Sequence, residues 1–164
     1  MPIRLRSCRL ERRSVRHRDL AWRAEAMLGA LGLGETELSI LLCDDATIRK
    51  LNRRYRRMNK ATDVLAFPMG DGPGSTIGPG LLGDVVISLP TATRQARQHD
   101  RPIIEEVTFL LAHGLLHLLG YDHATVSEKR EMAARTDALI NAVGASRPGA
   151  KPVEKTRSAV SRRD

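Results

Sequence analysis

The pattern of apolar and polar residues predicts four strands in the first 88 residues of the chain. Residues 3–10 alternate between apolar and polar positions, which is the period of a strand with one buried face. Residues 37–43 (ELSILLC) form a short apolar run and are predicted as a buried strand. Residues 63–68 (DVLAFP) and 83–88 (GDVVIS) are predicted as two more. Between these two, residues 70–80 are too rich in glycine and proline to form regular structure.

Five further segments carry the periodicity or the boundary residues of helices. They are 18–31, a helix that begins at Asp44 or Asp45, a short helix at 91–99, a long one at 102–119, and a last one at about 126–142. The long helix is almost entirely apolar after Thr108, which predicts a buried central position. Strands and helices mix without regular alternation. We therefore expect an α+β fold, a single domain in which helices pack on a small mixed sheet of about four strands.

The second helix is predicted to bury one stripe of apolar residues. Its apolar positions recur at spacings of three and four, and they are Ile48, Leu51, Tyr55 and Met58. The remaining faces of this helix are strongly basic.

Length and charge predict one folded domain followed by a basic tail. The chain has 164 residues, of which 41% are apolar, and this suffices for one core. From Gly144 onward no apolar periodicity is left, so we predict a domain over 1–144 and a disordered tail over 145–164. The net charge is +8; six basic and two acidic residues give the tail +4, which leaves +4 for the domain. A basic surface attracts nucleic acids or acidic lipids, although charge alone is weak evidence.

Composition also argues against membrane-spanning and exported proteins. No apolar run approaches the roughly 18–20 residues that cross a bilayer, and the N-terminus lacks the apolar centre of a signal peptide. We therefore expect a cytoplasmic protein without a membrane partner. Cys8 and Cys43 show no motif spacing and are expected to be reduced thiols. Aromatic residues make up only 3%, which argues against a broad base-stacking platform.

Three of the five histidines lie in one segment, HGLLHLLGYDH at 113–123. His113 and His117 are four residues apart on a predicted helix, so both imidazoles lie on one face, one turn apart. Gly120 can adopt the left-handed conformation that ends a helix. The chain then turns back, and His123 can supply a third nitrogen. The sequence thus predicts one zinc ion bound by these three histidines.

This ligand set indicates a catalytic ion rather than a structural one. Three neutral imidazoles leave one tetrahedral position open for water, whose pKa falls to about 7 on zinc. Structural sites close that position, usually with cysteine, and neither cysteine is near in sequence. The helix is similar to the H-E-x-x-H helix of zinc proteases, but Gly114 stands where these place their glutamate base. We predict that residues 1–144 form a metal-hydrolase domain of another kind. Imidazole also suits nickel, copper and iron.

Three segments resemble the YbeY endoribonucleases, a family of bacterial rRNA maturation factors. HGLLHLLGYDH resembles the family signature through its whole length, LNRRYRRMNKATDVLAFP at 51–68 a second block, and LLGDVVIS at 81–88 a third. Their order and spacing also agree. The resemblance implies a zinc-dependent, single-strand-specific endoribonuclease with a zincin-like fold. It also implies roles in maturing the 3′ end of 16S rRNA and in ribosome quality control, with ribosomal particles, ribosomal proteins or a GTPase as partners.

The resemblance assigns the site residues as well. They are the metal ligands His113, His117 and His123 and, as a further catalytic residue, Arg56. The arginine has a physical case of its own, because a guanidinium grips a phosphate in two places and offsets charge in the transition state. Asn52 and Lys60 share its helix face if the helix extends that far. Ala66 stands where many members carry serine, so the resemblance does not carry a hydroxyl contact over to this position.

Other polar residues have weaker cases. Asp122 can orient the ring of His123 or simply form a turn. Asp63 and Asp84 lie near strand ends, and Glu106 is expected to be a carboxylate of a helix N-terminus. The remaining arginines of the second helix are predicted to contact phosphates without sequence preference, namely Arg49, Arg53, Arg54 and Arg57.

Two rival functions stay open from the sequence. One is a metalloprotease or amide hydrolase, against which the glycine at 114 argues. The other is a non-catalytic ribosome assembly factor whose zinc chiefly holds the fold, so that a chelator would unfold it. The sequence does not determine the oligomeric state.

Overall fold

A computed structural model describes residues 3–8, 10, 14–69 and 80–148. Within these ranges the strands are β1 (Ile3–Ser7), β2 (Glu37–Cys43), β3 (Val64–Pro68) and β4 (Leu81–Ser88). The helices are α1 (His17–Ala30), α2 (Asp45–Arg56), α3 (Leu89–Gln98), α4 (Ile103–Leu118) and α5 (Val126–Ala145). Each predicted strand and helix is present, with its ends shifted by a few residues.

The four strands form one mixed sheet in the order β1-β2-β4-β3. β1 pairs with β2, and β2 with β4, in parallel, whereas β3 pairs with β4 in the antiparallel sense. A parallel pair needs a crossover connection, and α1 lies in the crossover from β1 to β2. The arrangement confirms the predicted α+β domain with a mixed four-stranded sheet.

Side chains alternate along the strands between two apolar cores. Leu38, Ile40 and Leu42 of β2 belong to the larger core, which also includes buried residues of α1, α4 and α5. Cys43 and Val86 belong to a smaller core on the other face, together with residues of α2. Helix α4 is therefore held between the sheet and three helices, α1, α3 and α5, as its apolar sequence predicts.

The predicted apolar stripe of α2 is right for three residues and wrong for the fourth. Ile48 is fully buried, and Leu51 and Tyr55 pack partly buried against the smaller core. Met58, however, is 45% exposed. The helix ends before it, because Arg57 adopts a left-handed conformation with φ of 56°. A left-handed residue redirects the chain, so the helical spacing no longer applies.

Two predicted features lie wholly or largely outside the described residues. The glycine- and proline-rich segment is described only at Gly80, and most of the predicted tail, from 149 to 164, is not described. Helix α5 continues to Ala145, one residue past the predicted domain boundary. None of the helices in the described ranges is long and apolar enough to cross a bilayer.

Candidate metal centre

Helix α4 presents two histidines beside one another. His113 and His117 are both partly buried, and their ring centroids lie 6.0 Å apart. Most of the other residues in the second half of the helix are fully buried against the sheet and neighbouring helices. This packing fixes the rotation of the helix, so both rings face the same cleft.

A glycine turn brings the third histidine to the same place. Gly120 has a φ of 91°, and its N–H donates to the carbonyl of His117 at 3.0 Å. The N–H of Tyr121 donates to the carbonyl of Leu116, also at 3.0 Å. These two bonds form a Schellman motif, which ends a helix with a left-handed glycine. The chain folds back, and the ring of His123 lies 5.3 Å from that of His117 and 6.4 Å from that of His113.

The three rings fit one metal ion after a small closing movement. Imidazoles bound to one tetrahedral zinc at about 2.0–2.1 Å have ring centroids about 5 Å apart. The widest separation here, 6.4 Å between His113 and His123, exceeds this by about 1.4 Å. As they stand, no three His, Cys, Asp or Glu groups of the described chain are close enough to hold a metal. His123 is more than half exposed and follows a turn, so it is the ligand with room to move.

One nitrogen of the cluster lacks the partner that burial demands. Nδ1 of His113 is buried and has no hydrogen-bond partner among the described residues. A buried polar atom left unpaired costs about 1–3 kcal/mol. Such atoms are rare in native proteins and point to an ion, a water molecule or a ligand. This unsatisfied nitrogen supports the fit of the cluster to a metal.

Burial also keeps the two helical histidines in their neutral form. The pKa of His113 is lowered by desolvation and then by repulsion from His117, with Asp63 acting in the opposite direction. The pKa of His117 is likewise lowered by desolvation and then by His123. Neutral imidazole is the form that binds metals, so both side chains are available as ligands at neutral pH.

The packing of α4 explains why glycine occupies position 114. A Cβ atom on Gly114 would lie 2.7 Å from Cγ1 of Val85 and 3.3 Å from Cγ2 of Val64. The helix approaches the sheet so closely here that a side chain would displace the side chain of Val85. The glutamate of an H-E-x-x-H protease has no space at this position, which disfavours the protease alternative.

Arg56, the arginine to which the resemblance assigns a catalytic role, lies near His117. Its guanidinium donates to the carbonyl oxygen of Ala66 at 2.5 Å and stacks over the ring of Phe67 at 5.2 Å. Arg56 and His117 line one cavity of about 450 Å³, which we call the Arg56 cavity. Its position next to His117 suits an anion bound between the guanidinium and the histidines. Because Arg56 contacts the backbone of residue 66, alanine in place of serine leaves this bond intact.

Lys60 does not share the helix face of Arg56, because the helix does not extend as far as that placement required. Helix α2 ends at Arg56, and Lys60 lies beyond the turn that follows. Asn52 is buried, and its side-chain amide donates to the carbonyl oxygen of Lys60 at 3.0 Å. Asn52 therefore holds the turn after the helix.

Asp63 lies much nearer the cluster than the sequence indicated. It lines a cavity of about 350 Å³ together with all three histidines, which we call the histidine cavity. Gln95 donates to its carboxylate at 3.2 Å, and the backbone N–H of Val64 at 2.7 Å. The only signal in the sequence was an acidic residue before a strand, and strands of this kind are common. Asp122 accepts from the backbone N–H of His123 at 2.7 Å, which is the turn role considered for it.

Comparisons of the sequence with family models and with known proteins all point to one family. The family model described as Endoribonuclease YbeY matches residues 11–144. A protein named Endoribonuclease YbeY from Anaeromyxobacter sp. (strain Fw109-5) is 52% identical over 144 residues, covering 88% of this chain and 73% of that protein. One of the same name from Aquifex aeolicus (strain VF5) is 49% identical over 123 residues, covering 75% and 80%. A third, from Myxococcus xanthus (strain DK1622), is 52% identical over 121 residues, which are 74% of this chain but 41% of that protein.

A solved structure shows the same fold. The solution structure of TM1509 from Thermotoga maritima matches with a TM-score of 0.59 and 22% identity, covering 91% of this chain and 99% of that one. Residues 11–144, which match the family model, contain the three histidines and Arg56. The chain belongs to the YbeY endoribonuclease family.

Proposed function

We propose that this protein is a metal-dependent endoribonuclease that cuts single-stranded RNA. The observation that carries the proposal is the meeting of three histidine rings with Arg56 along one cleft. Family membership supports the same reaction, because the relatives compared above are named as endoribonucleases. The helix that provides Arg56 carries further arginines, which supports an anionic polymer as the substrate.

His113, His117 and His123 would hold the metal, and we propose a single Zn²⁺ ion. When bound, such an ion supplies Lewis acidity and activates water at neutral pH. The protein's own contribution is to keep the helical imidazoles neutral through burial and to fix their direction through the packing of α4. His123 completes the set from its exposed turn.

Arg56 would bind the scissile phosphate and offset its growing negative charge. Its guanidinium is held by the carbonyl oxygen of Ala66 and the ring of Phe67, so little side-chain entropy is lost on binding. Asp63 lines the histidine cavity, where a second charged group could orient a ring or a water molecule. The absence of room for a side chain at Gly114 supports a mechanism without the protease glutamate.

We further propose that the physiological substrate is rRNA in ribosomal particles in the cytoplasm. The reaction would be maturation of the 3′ end of 16S rRNA, with a second role in ribosome quality control. Ribosomal proteins or a GTPase would be the protein partners. The resemblance of residues 51–68, 81–88 and 113–123 to the family supports this assignment, and the net charge of +8 is consistent with it.

The proposal is tested by measuring metal content and RNA cleavage together. Wild type should contain one zinc per chain and cut a single-stranded RNA. His113→Ala should lose both. His99→Ala is the matched control, because His99 is a histidine outside the cluster, and it should keep both. Undiminished cleavage by purified His113→Ala would falsify the proposal.

Arg56→Ala separates phosphate binding from metal binding. Removal of one preorganised donor to a developing negative charge costs about 10²–10³ in rate. We expect a loss in this range with unchanged zinc content. Arg53→Ala, on an exposed part of the same helix, should weaken binding only slightly and only at low salt. Equal losses in the two variants would reduce Arg56 to one of several general phosphate contacts.

A further inference from the structure

A third cavity lies on the side of the histidines away from Arg56. It has a volume of about 280 Å³ and lies between α4 and α5, and we call it the α4–α5 cavity. Phe109 of α4 and Met132 and Ala133 of α5 provide apolar walls. The hydroxyl of Thr136 also lines it but donates to the carbonyl of Met132 at 2.7 Å, so its polar group is already satisfied. The cavity is thus mainly apolar inside, in contrast to the Arg56 cavity, which the charged groups of Arg56 and Asp122 line.

The α4–α5 cavity is continuous with the metal centre. His113 and His123 line both this cavity and the histidine cavity, and His117 links the histidine cavity to the Arg56 cavity. The three cavities therefore follow one another across the cluster. A polynucleotide with one phosphate bound at Arg56 and the histidines would extend along these cavities toward the α4–α5 cavity.

The wall of this cavity is rigid at the point nearest the metal centre. The ring of Phe109 lies 5.0 Å from that of His113, and the guanidinium of Arg101 stacks over it at 5.2 Å. Phe109 is therefore fixed by two neighbours. Few aromatic residues exist in this chain, five in all, and one of them is placed here.

The size and chemistry of the α4–α5 cavity fit one planar ring. Ligand pockets for drug-sized molecules occupy about 300–1,000 Å³, so a cavity of 280 Å³ suits a smaller group. Lys129 and Asp137 also line it, and both are exposed at its rim. They offer a hydrogen-bond donor and an acceptor, which the edge of a nucleobase can use. Unstacked bases of single-stranded RNA are bound in this manner, between apolar walls with polar groups at their edges.

We propose that the α4–α5 cavity binds the nucleobase of a nucleotide next to the scissile phosphate. The inference rests on the proposed ribonuclease function and adds to it a substrate-binding site. It explains how a chain with few aromatic residues holds single-stranded RNA in register at the metal: one base is inserted, and the remaining contacts are to phosphates. A duplex cannot present an unstacked base, so the same cavity favours single strands.

Two variants of α5 isolate the cavity from the metal centre. Ala133→Trp fills the cavity from an exposed position without altering any histidine or Arg56. Ala134→Trp is the matched control, since residue 134 is also exposed on α5 and is absent from the lining described. Both proteins are first checked for wild-type melting temperature and zinc content.

The probe is a fluorescent single-stranded RNA that the protein cleaves at one place, compared with versions that lack one base at each position in turn. Binding is measured by fluorescence anisotropy and cleavage by gel. For wild type and Ala134→Trp, loss of one base beside the cut should weaken binding about tenfold, the size of one base–side-chain stacking contact. For Ala133→Trp, intact RNA should already bind about tenfold more weakly, with no further loss when that base is removed.

Two results would overturn the inference. One is a wild-type protein that binds intact and base-lacking RNAs equally; the other is an Ala133→Trp protein that keeps the tenfold ratio. If wild type binds these RNAs but cuts none of them, the proposed ribonuclease function fails. The cavity is then still judged by the ratio of affinities alone.

Discussion

Helix α4 carries two polar clusters that differ in whether their groups satisfy one another. Near its first turn, the fully buried carboxylate of Glu106 accepts from Arg101 at 2.5 Å and lies 3.1 Å from Nδ1 of His99. Near its end, the three-histidine cluster leaves Nδ1 of His113 buried without a described partner. The first cluster is complete in itself, whereas the second requires a group from outside. Mutual satisfaction is what a structural cluster needs, and convergence without it indicates a binding site.

The complete cluster is a product of the turn between α3 and α4. Asp100 has a φ of 50°, and the N–H of Arg101 donates to the carbonyl of Ala96 at 3.0 Å. This turn directs Arg101 back toward the first turn of α4, where it covers the carboxylate. Glu106 was expected to be an ordinary N-terminal carboxylate. Its burial could not be predicted, because it depends on a turn whose left-handed residue is not a glycine.

The largest difference between the clusters should appear on loss of one histidine from each. His117→Ala removes a metal ligand. We expect zinc content below one-tenth of wild type and at least a hundredfold less cleavage, because even changes behind the ligands cost about 10–100-fold. His99→Ala should retain zinc. Elemental analysis and gel-based cleavage measure both. Similar losses in the two variants would remove the distinction between the clusters.

Stability should depend more on the Glu106 cluster than on the three-histidine cluster. Arg101→Ala leaves the carboxylate of Glu106, which is 1% exposed, without its main partner. Breaking a buried pair costs about 3–5 kcal/mol, and the remaining contact with His99 places our expectation near the lower end. Arg97→Ala, on the exposed end of α3, should change the free energy of unfolding by less than about 0.5 kcal/mol. Urea unfolding of both variants measures the difference, and zinc content should be unaffected in each.

The position of the histidines should depend on the close contact between α4 and the sheet. Gly114→Ala places a methyl group against Val85, and overpacking of this kind costs about 1–3 kcal/mol. Gly144→Ala, in α5, meets no atom within 4 Å and should stabilise the helix by up to about 1 kcal/mol. Thermal unfolding of the zinc-free proteins gives both values. A stabilising effect at position 114 would show that the helix has room to shift.

The smallest expected effect is a pH dependence of stability that comes from the three-histidine cluster. The pKa values of His113 and His117 are lowered in the folded protein, so the unfolded chain takes up protons first as pH falls. Zinc-free protein should therefore lose stability as pH falls below about 6.5 and through the folded pKa values, with no contribution above that range. Melting temperatures at several pH values measure this. His113→Ala should show a shallower decline; an equal decline would assign the effect elsewhere.

What the sequence predicted well was local or periodic. Strand alternation, helical spacing and the four-residue separation of His113 and His117 each depend on neighbouring residues, and each is found in the structure. The differences arose at one helix end and where distant segments meet. The end of α2 at a left-handed arginine exposed Met58 and moved Lys60 off the helix. Asp63 reaches the histidines only because β3 lies at the sheet edge beside α4.

The α4–α5 cavity was also beyond prediction from the sequence. Its walls come from Phe109 and from residues more than twenty positions later, and nothing in their spacing indicates that they meet. The metal ligands, by contrast, lie within eleven residues. Their chemistry could be read directly, while the shape of the cleft required the packing of α5.

The glycine at position 114 has a consequence for how this fold can diversify. A change of this single residue to glutamate would recreate the H-E-x-x-H motif in the sequence. The new side chain would, however, meet Val85 and Val64 of the sheet. The side chains of these two valines would have to move first. The peptidase motif therefore requires a repacked interface between α4 and the sheet as well as the single substitution.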